Sequence, residues 1–239
     1  MTAIQRIDRS HSRLAGEVYD RLVGALVQGT VNPGDRLIQD RLAEELDVSR
    51  TPVRDALLRL KEEGVIEPSG RRGYVVRSLS ETDVRDLYGA RDAVEGHAAA
   101  LVAALGGDAL EQLRTALTQA TARKLRSSRE SFEANRAVHR AIVQTTGNAY
   151  LLNFFDAIWG RAMSALAYRD FYVHSPHDKF VAEHETLIEE IAAGDPERAR
   201  RAMIEHIAWG LERTVKGGAA KRPNGAARGR RASRAAQLI

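Results

Sequence analysis

The sequence contains no cysteine and no long hydrophobic run, and only 5% of its 239 residues are aromatic. Without cysteine, the chain cannot form a disulfide framework, a thiolate zinc finger or an iron–sulfur site, and it fits a reducing compartment. No apolar stretch approaches the ~20 residues that span a bilayer, and the N-terminus lacks the apolar stretch of a secretory signal. We therefore expect a cytoplasmic protein without a membrane partner.

The residues that are present suffice for a folded core, because 44% of them are hydrophobic. The net charge of +4 is unevenly distributed: residues 1–77 carry +1, residues 78–215 carry −4, and residues 216–239 carry seven basic residues and no acid. This last segment shows no apolar periodicity, so we predict a disordered tail. It has either a weak attraction to polyanions or no role.

The first part of the chain has the pattern of a small DNA-binding domain. Apolar spacing predicts helices over residues 12–29, 39–46 and 50–63, and short strands over 65–67 and 74–76. A helix-turn-helix that precedes a two-stranded wing is the arrangement that fits this order. We assign it to residues 1–77.

Beyond this segment the pattern is entirely helical. Ser80 can cap a helix that runs to about residue 105, and Asp83 favours its first turn. Further helices are predicted over residues 109–125, 131–145, 149–168, 177–193 and 196–215. The sequence thus predicts a mainly α protein: a winged helix-turn-helix over 1–77, an all-α bundle of six or seven helices over 78–215, and a tail over 216–239.

The predicted helix 50–63 carries cations beside its apolar stripe. At about 100° per residue, Arg50, Arg54 and Lys61 fall within a sector of roughly 40°. Arginine can fork onto a guanine edge in the major groove, and Ser49 and Thr51 add hydroxyls where a helix start can meet phosphate. The alternative is a solvated face balanced by neighbouring acids. The helix-turn-helix order of the predicted elements favours the DNA-binding interpretation.

Three further basic residues lie on neighbouring elements. Arg41, on the preceding helix, can hold a phosphate or reach the groove, and Arg71 and Arg72 occupy the predicted wing turn, where a minor-groove or phosphate contact is natural.

The stretches around these positions closely resemble the winged helix-turn-helix of GntR-type bacterial repressors. The matching stretches are residues 34–37, 42–57, 64–66 and 72–75. The resemblance implies that a set of side chains faces an operator: Arg41, Ser49, Arg50, Thr51 and Arg54. It also implies that Gly73 lets the wing approach the DNA backbone. We expect a homodimer bound to a short palindrome in double-stranded DNA.

Inward-facing polar residues form a second group, in the helical part. Asn135 and His139 are four residues apart, so they share one face of a helix, and that face is apolar. His184 and His206 point inward from two other helices. A single inward histidine is usually a satisfied core residue, but three of them with a side-chain oxygen favour a metal site. Such ligands suit zinc first, with nickel or manganese as alternatives.

Arg91 is also predicted to lie on an apolar face, so its guanidinium needs a partner. The structural candidate is Glu95, one helical turn later. The functional candidate is a ligand carboxylate that Arg91 holds in a bidentate manner.

These residues resemble the FCD ligand-binding domain of the FadR subgroup of GntR regulators. The resemblance implies a divalent metal bound by four residues: Asn135, His139, His184 and His206. It also implies a small organic-acid effector that touches both the metal and Arg91. The family often has aspartate at the position of Asn135, so a neutral amide here implies weaker metal binding. Val138 replaces an aromatic residue that is common before the histidine.

The sequence therefore predicts a ligand-responsive transcription regulator, most simply a repressor, and not an enzyme. A His-ligated metalloenzyme fused to a DNA-binding module is the alternative, although the sequence has no HExxH motif. A DNA-architectural protein without a ligand would leave the inward histidines and Arg91 unexplained.

Overall fold

The computed structural model describes residues 9–70, 73–160, 162–171 and 176–221. This part of the chain forms ten helices and three short strands, and it divides after Ser78 into two compact units. The predicted mainly helical fold class is confirmed. None of the helices in the described ranges has the length and apolar character needed to cross a membrane.

The N-terminal unit has helices and strands in the order of a winged helix-turn-helix. Its elements are α1 (Arg9–Gln28), β1 (Arg36–Ile38), α2 (Gln39–Glu45), α3 (Arg50–Glu62), β2 (Ile66–Pro68) and β3 (Gly73–Val76). Apolar residues of α1 and α3 form the core, which includes Val18, Leu22, Leu26, Val53, Leu57 and Leu60.

The wing sheet has three antiparallel strands in the order β1-β3-β2, where the sequence predicted two. Strand β1 spans three residues, and Leu37 is the one of them that is fully buried, which is too short an alternation to read from the sequence. Gly73 pairs with Ile38 in this sheet. A Cβ atom at Gly73 would lie 3.4 Å from the carbonyl oxygens of Leu37 and Ser69, so the sheet itself favours a small residue there.

The C-terminal unit is a bundle of seven helices in the described residues, within the predicted range of six or seven. They are α4 (Glu81–Leu105), α5 (Asp108–Ala120), α6 (Ser128–Thr145), α7 (Ala149–Trp159), α8 (Ala162–Phe171), α9 (His177–Ala192) and α10 (Pro196–Lys221). The predicted cap of α4 is confirmed: the Ser80 hydroxyl accepts a hydrogen bond from the Asp83 amide, and the Asp83 carboxylate accepts one from the Ser80 amide.

Three differences from the predicted helices are larger than a shift of three residues at one end. Residues 149–168 were predicted as one helix, but the chain breaks at Gly160, where a Cβ atom would lie 2.6 Å from the carbonyl oxygen of Asp156. Helix α5 ends at Ala120, five residues early. Helix α10 continues to Lys221, six residues into the predicted tail. The rest of that tail lies outside the described residues.

Helices α4 and α10 pack closely at the centre of this bundle. Small residues permit the approach, since a Cβ atom at Gly96 would lie 3.2 Å from Ile204 and one at Gly210 would lie 3.6 Å from Tyr88. The Tyr88 and Thr214 hydroxyls are 3.0 Å apart and form a buried hydrogen bond between the two helices. The polar residues described next lie in this interior.

Candidate metal centre and nucleic-acid interface

Three imidazoles converge inside the helical bundle. His139 of α6, His184 of α9 and His206 of α10 place one ring nitrogen each within 4.8 Å of the others. His139 and His184 are buried, whereas His206 lies closer to the surface. The structure therefore brings together the three histidines that the sequence predicted to face inward.

The hydrogen bonds of His184 fix which of its nitrogens carries the proton. Its Nδ1 lies 2.8 Å from the carbonyl oxygen of Phe180, which can only accept, so Nδ1 donates. The Nε2 atom then keeps its lone pair and lies 2.9 Å from Oδ1 of Asn135, as the side-chain amide is placed. The Asn135 amide can donate to this lone pair through Nδ2, or it can turn Oδ1 towards the ring and so offer a second ligand atom to a cation.

His139 is oriented in the same manner by a carboxylate. Its Nδ1 donates to Glu95, and its Nε2 lies 3.2 Å from Nε2 of His206. A carboxylate that holds the outer nitrogen of a histidine is the usual support of a metal-ligating imidazole. Sequence reasoning identified Glu95 as a partner of Arg91 alone, and it missed this contact with His139.

Glu95 is the hub of a buried polar network. Arg91 donates to it through Nε at 2.9 Å, and Trp159 donates through its indole nitrogen at 2.9 Å. The guanidinium carbon of Arg91 also lies 4.3 Å from the centre of the Trp159 ring. Burial raises the pKa of Glu95, but Arg91 and then His139 outweigh burial and lower this pKa to about 2. Glu95 is therefore a carboxylate at neutral pH.

Burial keeps the three imidazoles neutral. It lowers the pKa of His184 to about 3, with a further contribution from the neighbouring His139. Burial also lowers the pKa of His139, against the opposing effect of Glu95, and it lowers the pKa of His206 well below its ordinary value. Neutral imidazoles are the form that binds metal ions.

A small cavity adjoins this cluster. Its volume is about 30 Å³, and it is lined in part by Arg91, Asn135, His184 and His206. That volume holds about one water molecule and is smaller than an organic acid.

The predicted DNA-facing side chains of the N-terminal unit are exposed. Arg41, Arg50 and Arg54 each lie within 4.0 Å of an acid: Glu45 at 3.9 Å, Asp40 at 3.0 Å and Asp55 at 3.5 Å, respectively. Each acid offsets the charge of its arginine, but the guanidinium groups stay at the surface.

The beginning of α3 is available to an anion. Ser49 is the N-cap residue, but its hydroxyl makes no capping hydrogen bond with any residue that the structure describes. Ser49 and Thr51 are both exposed, so their side chains lie at the surface at the beginning of α3. Arg72 lies outside the described residues.

Comparison with known protein families matches both units. The model for "Bacterial regulatory proteins, gntR family" covers residues 14–76, and the FCD domain model covers residues 86–208. The "Probable D-xylose utilization operon transcriptional repressor" of Paenarthrobacter nicotinovorans is 30% identical over 207 residues, which are 86% of this chain and 91% of that protein. The chain belongs to the GntR family of transcription regulators and carries an FCD domain.

Other relatives support this assignment to GntR regulators. The transcriptional repressor GlaR of Escherichia coli is 27% identical and covers 79% of this chain and 90% of its own length. Among solved structures, E. coli McbR/YncC aligns with a TM-score of 0.62 at 23% identity, over 85% of this chain and 97% of its own. A GntR regulator of Rhodococcus sp. RHA1 aligns with a TM-score of 0.63 at 23% identity, over 87% and 99%. These structures share the fold.

In this GntR-family chain, sequence reasoning named the metal-binding candidates but not the groups that form hydrogen bonds with them or with Glu95. Trp159 and the Phe180 carbonyl were not identified, although both contact the network. For Phe180 the spacing offered a signal, because it precedes His184 by one turn and its backbone oxygen is therefore close to that ring. Trp159 gave no local signal, since it is distant from Glu95 in sequence.

Proposed function

We propose that this GntR-family regulator is a repressor whose operator affinity is controlled by a small carboxylate bound at a divalent metal centre in its FCD domain. The observation that carries this proposal is the set of lone pairs inside the bundle. Nε2 of His139 and Nε2 of His184 have their partner nitrogens committed to Glu95 and Phe180, and Asn135 contributes an oxygen to the same space.

The residues that would hold the ion are Asn135, His139, His184 and His206. Three neutral nitrogens and one amide oxygen suit zinc, and they also suit nickel or manganese. A bound divalent ion would supply a Lewis-acidic site for an anionic ligand. Glu95 would keep the His139 ring in place and increase its basicity.

Arg91 is proposed to bind the effector carboxylate. The sequence offered two roles for it, and its contact with Glu95 at 2.9 Å is the structural one. A guanidinium has five N–H donors in a planar fork, so one arginine can serve Glu95 and a ligand carboxylate together. The adjoining cavity of about 30 Å³ has to widen by side-chain movement before an organic acid fits.

In the proposed DNA complex, two copies of the chain place α3 in the major groove of a palindromic operator. Arg41, Arg50 and Arg54 would contact bases and phosphates, and Ser49 and Thr51 would bind phosphate at the start of α3. Gly73, and Arg72 beside it, would bring the wing to the DNA backbone. We expect a selection from random duplex DNA to enrich a palindrome, and Arg54→Ala to lose preference at one base pair of each half-site.

The metal is tested by elemental analysis of protein that has been stripped and reloaded with zinc, nickel or manganese. We expect about one ion per chain, as for a single closed set of ligands. His139→Ala and His184→Ala should each lose it. His97→Ala is the matched control, because His97 is an exposed histidine of α4 and should not affect loading. Wild-type protein that binds none of the three ions in stoichiometric amount would refute the metal centre.

The effector is tested with a panel of hydroxy, keto and sugar acids, and with D-xylose because of the relative named for D-xylose utilization. We expect an acid, and not the neutral sugar, to release the selected duplex. Arg91→Lys keeps a positive charge beside Glu95 but loses the planar fork, so it should fold, bind metal and respond about tenfold more weakly. An unchanged response midpoint in Arg91→Lys, or release by D-xylose alone, would contradict the carboxylate role of Arg91.

A further inference from the structure

The pair between Arg50 and Asp40 differs from the other two arginine–acid pairs of the exposed DNA face. Arg41 pairs within α2 and Arg54 pairs with its chain neighbour, so each of those pairs moves with a single helix. Arg50 is the first residue of α3, and Asp40 lies in the first turn of α2. Their contact at 3.0 Å therefore joins the two helices of the helix-turn-helix.

A second hydrogen bond fixes the same residue through its backbone. The side-chain amide of Gln39 donates to the carbonyl oxygen of Arg50 at 3.0 Å. Consecutive residues of α2 thus hold the main chain and the side chain of Arg50. The backbone of Arg50 and the part of its side chain up to Nε are therefore positioned before any ligand binds.

The atom that Asp40 contacts determines what remains for a ligand. Asp40 forms an ion pair with Arg50 in which Oδ1 lies 3.0 Å from Nε, and the two Nη groups make no hydrogen bond with any described residue. One N–H of each Nη group points along the axis of the guanidinium, away from its stem, and these two N–H groups form a pair of parallel donors. Guanine presents two acceptors, O6 and N7, at the spacing that such a pair matches in the major groove.

From this geometry we infer that Asp40 is a specificity-determining positioning residue, which orients Arg50 for bidentate contact with one guanine in each half-site. The inference rests on the proposed operator contacts of α3. Asp40 has a second effect that follows from its charge. A carboxylate at this surface repels phosphate, so it weakens binding to every DNA sequence. Its contact with Arg50 strengthens binding only to sequences that have guanine at the matching position.

The test compares base preferences in a selection from random duplex DNA, which does not require a known operator sequence. Arg50→Ala should lose preference at one G·C pair per half-site, and Asp40→Asn should lose about tenfold in preference at the same pair while other positions are retained. Glu44→Gln is the control, because it removes one exposed charge of α2 that has no ion-pair partner in the described residues. It should leave the profile unchanged.

Affinity for random duplex DNA separates positioning from a general loss of binding. Asp40→Asn and Glu44→Gln should both bind it as tightly as wild type or more tightly, since each removes a negative charge. The double variant Arg50→Ala/Asp40→Asn should match Arg50→Ala alone at the guanine position, because the two residues act through one contact. Thermal melts check that all variants are folded.

Two results would overturn the role of Asp40 alone: an Asp40→Asn profile identical to wild type, or equal losses at all positions in both Asp40→Asn and Glu44→Gln. A wild-type protein that enriches no motif would instead overturn the operator contacts of α3 on which the inference rests.

Discussion

Glu95 contacts three side chains in the centre of the helical unit, and each contact has a different consequence. The positive charge of Arg91 keeps Glu95 ionised, Trp159 donates a hydrogen bond to Oε1 of Glu95, and His139 donates one to Glu95 through Nδ1. A periodicity argument can place the imidazoles on inward faces, which is why the four metal-binding candidates could be named from sequence. It cannot assign the proton on each ring, because that depends on atoms from other helices and from the backbone.

Replacing Glu95 by glutamine tests this support. The amide is nearly isosteric but uncharged, so it no longer increases the basicity of the His139 ring, and it leaves Arg91 without its anion. We expect Glu95→Gln to reduce metal affinity by about 10- to 100-fold, measured by competition with a chelating dye. Glu133→Gln is the control, because Glu133 is an exposed acid of α6. Equal affinities in Glu95→Gln and wild type would show that Glu95 does not support the metal.

The stability of metal-free protein should depend on pH through the same residues. Burial lowers the pKa of His184 to about 3 in the folded chain, whereas an unfolded histidine titrates near 6.5. As the pH falls below about 6.5, the unfolded state binds a proton that the folded state does not. The free energy of unfolding should therefore decrease as the pH is lowered. His184 alone should account for a decrease of about 2 kcal/mol between neutral pH and pH 5.

Urea titrations of chelator-treated protein at pH 7.5 and pH 5 measure this difference. His97→Gln removes an exposed histidine, and we expect it to leave the pH dependence unchanged. If wild-type stability is the same at both pH values, the buried imidazoles are not neutral in the folded protein.

At the scale of secondary-structure elements, Gly160 separates α7 from α8. A glycine within an otherwise apolar, helical pattern is usually tolerated, so the sequence predicted one helix over 149–168. The backbone at the break leaves no room for a side chain at residue 160, since an added Cβ atom would lie 2.6 Å from the Asp156 carbonyl oxygen, and no sequence pattern records this. The capping box of α4 was predictable for the opposite reason, since Ser80 and Asp83 are close in sequence.

Gly160→Ala should destabilise the protein, because its Cβ atom would lie 2.6 Å from backbone and cannot move aside alone. We expect a loss of about 1–3 kcal/mol in the free energy of unfolding, measured by chemical denaturation. The comparison is Gly89→Ala, at an exposed position of α4 with nothing within 4 Å. That substitution should stabilise by about 0.5–1 kcal/mol. The same sign for both variants would disprove the steric explanation.

At the scale of the whole molecule, the proposed function is a coupling between two units that fold around separate cores. The order of elements and the family were readable from the sequence, because helix periods and local motifs are encoded within short stretches. The size of the coupling is not encoded locally, since it equals the difference in effector affinity between two states of the protein.

This coupling predicts that the acid changes DNA binding only when the metal is bound. An acid from the panel should weaken binding to the selected duplex in metal-loaded protein by about 5- to 150-fold. The same acid should have little effect after chelator treatment. Fluorescence anisotropy of the labelled duplex measures both cases, and His139→Ala should behave as the chelated protein does. An effector response that survives chelation and His139→Ala would place the sensor away from the metal.

Helix α4 joins the boundary of the two units to the polar network without interruption. Its cap, Ser80, lies two residues after Ser78, and Arg91 follows eleven residues later in the same helix. At about 1.5 Å per residue, this segment is a stiff rod about 16 Å long. If the rod pivots by about 5° at Arg91, its capped end moves by about 1.4 Å. In the proposed coupling, α4 would therefore act as a lever arm that turns an adjustment the size of a side-chain rotation into a displacement of the chain that leaves the bundle.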